Sequence, residues 1–313
     1  MSSSRRPVVA VLIPCYNEGG AIGKVVQDFH RVLPQARVYV YDNNSTDNTV
    51  AAAKAAGAIV CAEPLQGKGN VVRRMFADVE ADAYLLVDGD DTYDAEAAPK
   101  LLTRLFDENL DMVTGVRQQQ SADSYRMGHR FGNRVLTGFV ANIFGKRCGD
   151  MLSGYRAFSR RFVKSFPALA AGFEIETELT VHALELRMPI ADEPIAYSTR
   201  APGTASKLHT FRDGTRILVT IANLVRDERP LQFFTLLGLL LILAAMVLGY
   251  PLFITYVQTG LVPRFPTAVL ATGLVILASL CFASGAVLDS VARGRRELKR
   301  LRYLEIPLHG RNE

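Results

Sequence analysis

An α/β domain on a mostly parallel sheet, followed by a hairpin of two membrane-spanning helices, is the architecture predicted by three observations. Short apolar runs alternate with helical patterns from Val8 to Val116. Polar and acidic residues collect just beyond several of those runs. No charged residue occurs between Arg229 and Arg264, or from Phe265 to Leu288. Strand–helix alternation argues for a parallel sheet with its ligands beyond the carboxyl ends of the strands. Each charge-free run supplies the ~20 apolar residues that a helix needs to cross a bilayer. A length of 313 residues suits one large domain with an appendage.

In chain order, the strand VVAVLI precedes the helical pattern GGAIGKVVQDFHRVL, and RVYVYD precedes DNTVAAAKAAG. AIVCA is followed by KGNVVRRMFADV, AYLLVD by EAAPKLLTRLFDEN, and DMVTGV closes the series. Tyr16, Asn17 and Glu18 follow the first strand, Asp42 the second, and Asp88 and Asp90 the fourth, so three strand ends converge on one crevice. Two basic amphipathic segments come next, 125–147 with Phe131, Val135, Phe139 and Ile143, and 211–229 with Ile217, Leu218, Ile221 and Leu224. The second adjoins the apolar runs, which favours a helix lying in the membrane interface.

The connection around Gln258–Pro263 is short, so both ends of the hairpin lie on one side of the membrane. Arg226 and Arg229 precede it, and Arg293, Arg295, Arg296, Lys299, Arg300 and Arg302 follow it, against Arg264 alone in the loop. The positive-inside bias then predicts a multi-pass protein of the cytoplasmic (inner) membrane with its large N-terminal domain and both termini in the cytoplasm. No signal-peptide pattern precedes Val8, which agrees. The expected organisation is a cytoplasmic α/β domain over 1–210, a juxtamembrane helix over 211–229, a hairpin over 230–289 with spans near 231–257 and 265–288, and a basic tail over 290–313.

Several function classes drop out. The net charge of +5 is densest just beyond the second span, which points to anionic lipid heads rather than nucleic acid. Cys15, Cys61, Cys148 and Cys281 are too scattered for a zinc site or a disulfide framework. Gly67 and Gly69 flank a lysine, but position 72 is Val72, so there is no dinucleotide fingerprint, and no Walker A loop occurs.

What remains is the acid cluster in 84-YLLVDGDDTYD-94. Four carboxylates within seven positions repel one another unless a positive charge sits among them. Mg²⁺ or Mn²⁺, which prefers oxygen ligands and shares them with a substrate's phosphates, is the obvious partner. The plainer alternative is a polar turn in which Asp91 or Asp94 caps the following helix.

Seven elements taken in order carry a resemblance: 13-IPCYNE-18, 42-DNNSTDNT-49, 67-GKGN-70, 88-DGD-90, 115-GVR-117, 150-DMLSGYRAF-158 and 193-EPIAYSTRAPGTASK-207. Together they resemble the family-two glycosyltransferases of GT-A fold, and within them the polyprenyl-phosphate glycosyltransferases. The resemblance implies a Rossmann-like nucleotide-diphospho-sugar transferase domain, a nucleotide-sugar donor, a polyprenyl-phosphate acceptor lipid and a homo-oligomer. It implies that Pro14, Tyr16, Glu18 and Asp42 hold the donor's base and ribose, with Lys68 nearby, and that Asp88 and Asp90 bind the cation. Arg117, Arg130, Arg200, Ser206 and Lys207 become candidates to grip acceptor or donor phosphates.

The implied step is an inverting displacement at the anomeric carbon, UDP- or GDP-linked, in which alignment and electrostatics do most of the work. A lipid phosphomonoester has a second pKa of about 6, so it needs no strong general base. Glu174, Glu176 and Glu178 read first as helix-start acids, with one of them able to orient substrates, and the role of Asp150 stays open. Two positions depart from the family pattern. Asn43 stands where an aspartate is common, leaving Asn44 to take a turn conformation usual for glycine, and Thr92 stands where mannose synthases often carry glutamine. A processive polysaccharide synthase would need a tryptophan in its acceptor motif, and this chain has none. A catalytically silent scaffold of the same fold would bury Asp88, Asp90 and Arg117 without ligands to offset the cost.

Overall fold

The computed structural model describes residues 6–119, 149–168, 172, 174–198, 223, 226–227 and 229–307. The chain divides into two compact units, Met1–Gly214 with Lys299–Glu313, and Thr215–Leu298.

The first unit is built on a seven-stranded sheet. Its strands are β1 (Val9–Cys15), β2 (Arg37–Asp42), β3 (Ile59–Ala62), β4 (Ala83–Leu86), β5 (Met112–Gln119), β6 (Arg156–Ser159) and β7 (Ile190–Tyr197). They lie in the order β3-β2-β1-β4-β6-β5-β7. β6 runs antiparallel to β4 and β5, and every other pairing is parallel. The mostly parallel α/β sheet expected from the alternating pattern is therefore present, with β6 and β7 added to the strands read from sequence.

Helices α1 (Ile22–Val32), α2 (Thr49–Ala55), α3 (Lys68–Asp78), α4 (Ala98–Asp107), α5 (Arg160–Ser165) and α6 (Ile175–Glu185) cover the sheet. Because successive side chains of a strand point to opposite faces, each strand feeds two cores. Val11, Ile13, Val40 and Leu85 pack with Val26 and Phe29 of α1 and Leu101 and Leu105 of α4. Leu12, Tyr84 and Leu86 pack with Val72 and Met75 of α3, Phe162 of α5 and Leu179 of α6. This three-layer arrangement leaves the strand ends as the free edge where loops can gather.

Two long apolar helices follow, α7 (Pro230–Thr259) and α8 (Phe265–Leu304). Their mean hydropathies reach 2.5 and 2.1, and both are long enough to cross a bilayer. Pro251 inside α7 removes a helical hydrogen bond, and the Thr255 hydroxyl donates to the Pro251 carbonyl at 2.9 Å. Gly260 ends α7 in the left-handed conformation at φ 70°. A side chain on Gly285 would meet Phe234 Cβ at 2.9 Å, so small residues set how closely these two helices approach.

α8 runs on past its apolar part to Leu304, and from Lys299 onward it belongs to the first unit. There Lys299 Nζ lies 2.8 Å from Glu185 Oε2. The Tyr303 hydroxyl donates to Asp111 Oδ2 at 2.7 Å, and the Arg161 guanidinium stacks over the Tyr303 ring. The amphipathic segment expected over 125–147 lies outside the described residues, as does most of the one over 211–229.

Candidate active site

The β1–β2 register sets Cys15 beside Asp42, so the loops after these strands begin side by side. Asn43 N donates to the Cys15 carbonyl at 2.9 Å, Asn17 N to Ser45 Oγ at 2.8 Å, and Glu18 N to Thr49 Oγ1 at 2.9 Å. Asn43 is buried, and its amide donates to the carbonyls of Glu63 and Leu65, both at 2.8 Å, while accepting from Gly67 N at 2.7 Å. One side chain thus ties the loops after β2 and β3 to the start of α3. Asn44 takes the left-handed conformation at φ 65°, as the turn demands.

Asp42 is only 8% exposed. Its Oδ2 accepts from Ser45 N at 3.2 Å, while buried Oδ1 has no hydrogen-bond partner among the described residues. A buried carboxylate oxygen with unused acceptor capacity is costly unless a ligand donates to it. Pro14 is buried within β1, and Tyr16 and Glu18 are half-buried just beyond it. Burial, then the nearby Glu18, Asp42 and Asp88 carboxylates, push the Cys15 thiol well up, so it stays protonated and is no soft metal ligand. Gly89 passes so close that a side chain there would meet Glu18 Oε2 at 2.5 Å and Cys15 Sγ at 2.6 Å. Hence the Asp88-Gly89-Asp90 turn packs directly on the end of β1.

The four acids of that stretch take different roles. Asp94 accepts from Glu96 N at 3.0 Å and caps the short turn before α4. Asp91 pairs with Lys24 at 2.6 Å near the surface. Asp90 is buried and accepts from the Thr92 hydroxyl at 2.6 Å. Asp88 Oδ1 lies 2.5 Å from Lys68 Nζ, which is also 2.5 Å from Glu176 Oε1. Burial on its own would lower the pKa of the Lys68 ammonium, but Asp88 and Glu176 outweigh it and hold the group above the ordinary lysine value. Lys68 is the first residue of α3, presented by Gly67, whose φ of 132° only glycine adopts readily.

Among the described residues no group of three His, Cys, Asp or Glu side chains is arranged to hold a metal ion. Asp88 and Asp90 offer two carboxylates and no nitrogen or sulfur. That donor set fits Mg²⁺ or Mn²⁺ completing its shell with phosphate and water rather than a closed protein cage.

At the end of β5, Arg117 pairs bidentately with Asp150 at 2.6 and 2.9 Å and lies over the Tyr197 ring at 5.4 Å. The loop carrying Asp150 is held from beneath by Arg156, fully buried, which donates to the carbonyls of Met151 and Ser153 and to Thr180 Oγ1. Gly154 in this loop donates its N–H to the Tyr93 hydroxyl at 2.9 Å, and a side chain at Gly154 would overlap the Asp88 carboxylate.

The structure thus brings Asp42, Glu18, Lys68, Asp88 and Asp90 to adjoining strand ends. It places the Lys68 ammonium against Asp88 and Glu176. Arg130, Arg200, Ser206 and Lys207 lie outside the described residues. Sequence reading held Glu176 only as one of three alternatives, and it quoted Gly154 and Arg156 within 150-DMLSGYRAF-158 without giving either a role of its own. The signal for Glu176 was the need of a buried lysine for a counter-charge, which spacing along the chain does not locate.

A family model described as glycosyl transferase family 2 matches residues 10–166. The glycosyltransferase AglJ of Haloferax volcanii is 35% identical over 250 residues, 79% of this chain and 81% of its own. The dolichyl-phosphate hexose transferase of the same organism is 29% identical over 221 residues, 71% of this chain and 95% of its own. Among solved structures, glucosyl-3-phosphoglycerate synthase of Mycobacterium tuberculosis, in complex with Mn²⁺, UDP-glucose and phosphoglyceric acid, superposes with a TM-score of 0.58 at 23% identity. That likeness covers 70% of this chain and 79% of the synthase, and it is one of fold.

Proposed function

The chain belongs to glycosyl transferase family 2 and has a GT-A fold; from that premise we propose that it transfers a sugar from a UDP- or GDP-linked donor to a polyprenyl phosphate, with inversion at the anomeric carbon. The observation that carries this reading is the meeting of Asp42, Asp88 and the Lys68–Glu176 pair at the carboxyl edge of a parallel sheet, in a chain that also has two helices of membrane-spanning length. A relative named for dolichyl phosphate supports the acceptor class, and a fold neighbour holding UDP-glucose and Mn²⁺ supports the donor class.

The residues divide the work by position. Asp42 Oδ1 accepts from the donor's base or ribose, and Pro14, Tyr16 and Glu18 line that end of the crevice. Asp88 and Asp90 would hold a divalent cation, which when bound would supply positive charge to offset that developing on the leaving nucleoside diphosphate. Thr92 fixes the Asp90 carboxylate through its hydroxyl. Arg117, held flat by Asp150 and Tyr197, faces a phosphate, with Arg130, Arg200, Ser206 and Lys207 assigned to the same task. The acceptor phosphate oxygen, already deprotonated at neutral pH, forms the new bond to the anomeric carbon while the bond to the donor's β-phosphate oxygen breaks, so no proton has to move.

α7 and α8 are assigned as a membrane hairpin with both chain termini on the cytoplasmic side, following the distribution of Arg and Lys around them. Transfer of radiolabelled sugar to polyprenyl phosphate in detergent tests the function. The native protein is expected to transfer, Asp90→Ala to lose at least about a hundredfold in rate, and EDTA to abolish the reaction. Full activity in EDTA would refute the metal assignment.

A further inference from the structure

The Lys68 ammonium is shared between two carboxylates of different standing. Asp88 is assigned above to the cation, whereas Glu176, on α6 and 5% exposed, has so far been given no chemical part. A divalent cation bound at Asp88 and Asp90 would come close to an ammonium already touching Asp88 Oδ1, and like charges at such range repel strongly in a poorly hydrated site. With Asp88 as its one partner, the displaced ammonium would be left buried and uncompensated. Glu176 removes that obstacle, because the ammonium stays neutralised while Asp88 is released. Lysine suits the exchange, being a point charge on a flexible four-carbon stem rather than a rigid fork.

Resting on the metal-dependent reading above, we propose that Glu176 is a positioning residue that keeps Lys68 when Asp88 gives it up to the arriving cation, leaving the ammonium facing the donor's diphosphate. Once Lys68 and Glu176 neutralise each other, Asp88 and Asp90 present two net negative charges, which a divalent cation matches. The backbone need not shift, since Lys68 is fixed at the start of α3 and only its side chain changes partner.

The test is Mn²⁺ binding to the full-length protein in detergent without donor, read from the electron paramagnetic resonance of the free ion. Glu176→Gln is expected to bind Mn²⁺ about tenfold more weakly, since the site then carries one net negative charge, and Lys68→Gln about tenfold more tightly. The double variant Lys68→Gln/Glu176→Gln is expected to return close to native affinity, a cancellation that two purely structural lesions would not give. Native affinity in Glu176→Gln, or a double variant as weak as Glu176→Gln alone, overturns the inference and leaves the proposed function standing. A native protein that transfers sugar without binding Mn²⁺ overturns both the inference and the metal half of that function.

Discussion

Gly154 supplies the sharpest single-residue dependence in the site. It stands where any side chain would overlap the Asp88 carboxylate, and its N–H is fixed on the Tyr93 hydroxyl. Gly154→Ala is expected to keep the fold but lower kcat/KM by about tenfold to a hundredfold, because small displacements of a reacting group are costly. Sugar-transfer kinetics alongside circular dichroism would check it, and an active variant with an unmoved spectrum would count against the placement of Asp88. At this scale the sequence was informative where chemistry is local. Asn44 was expected in left-handed geometry from its place in the turn, and it is there. Asp94 caps as the plainer reading of the acid cluster held, while Asp88 and Asp90 stand apart from that role. Partnerships across the chain were not legible. Lys68 and Glu176 are 108 residues apart, and no spacing rule joins them.

Among the elements, α6 illustrates what periodicity alone misses. Its buried residues surround the helix rather than forming one stripe, and they include Glu176, Thr180 and His182. The His182 ring meets Phe162 and Phe166 edge-on and lies 3.2 Å from Ser165 Oγ. Burial, and then the charge of Lys299, push its pKa down from 6.5 to about 3. Between those values the unfolded chain binds a proton that the folded one refuses, so stability is fully present above about pH 6.5 and is lost as pH falls toward 3. From pH 7 to 5 this group would cost about 2 kcal/mol. Replacing it in His182→Leu is expected to flatten the pH dependence of the unfolding midpoint over that range, whatever the variant's stability at pH 7; an unchanged slope would refute the assignment. The strands show a parallel limit. β1 to β5 were legible as apolar runs, but β6 is four residues with a buried arginine, and β7 contains Pro194 and two acids. β7 tolerates its proline because it lies at the edge of the sheet, a position that only the assembled sheet defines.

At the scale of the whole molecule, the last turns of α8, from Lys299 onward, belong to the first unit. Lys299 reaches Glu185, and Tyr303 reaches Asp111, which is wholly buried and also receives Arg161 and Ser159. A fragment ending before Pro230 would lack both partners and leave the Glu185 and Asp111 carboxylates without these contacts. Such a fragment is expected to melt several degrees below the same unit in the intact protein, with a drop of about 2–4 °C for each kcal/mol lost. Calorimetry on both would show it, and equal midpoints would mean that these late contacts contribute nothing. The order of synthesis adds a further consequence. During translation the nascent first unit waits, incomplete at one corner, until both long apolar helices have left the ribosome; only then can Lys299 and Tyr303 close it, so the last step of its folding is timed by the synthesis of α8.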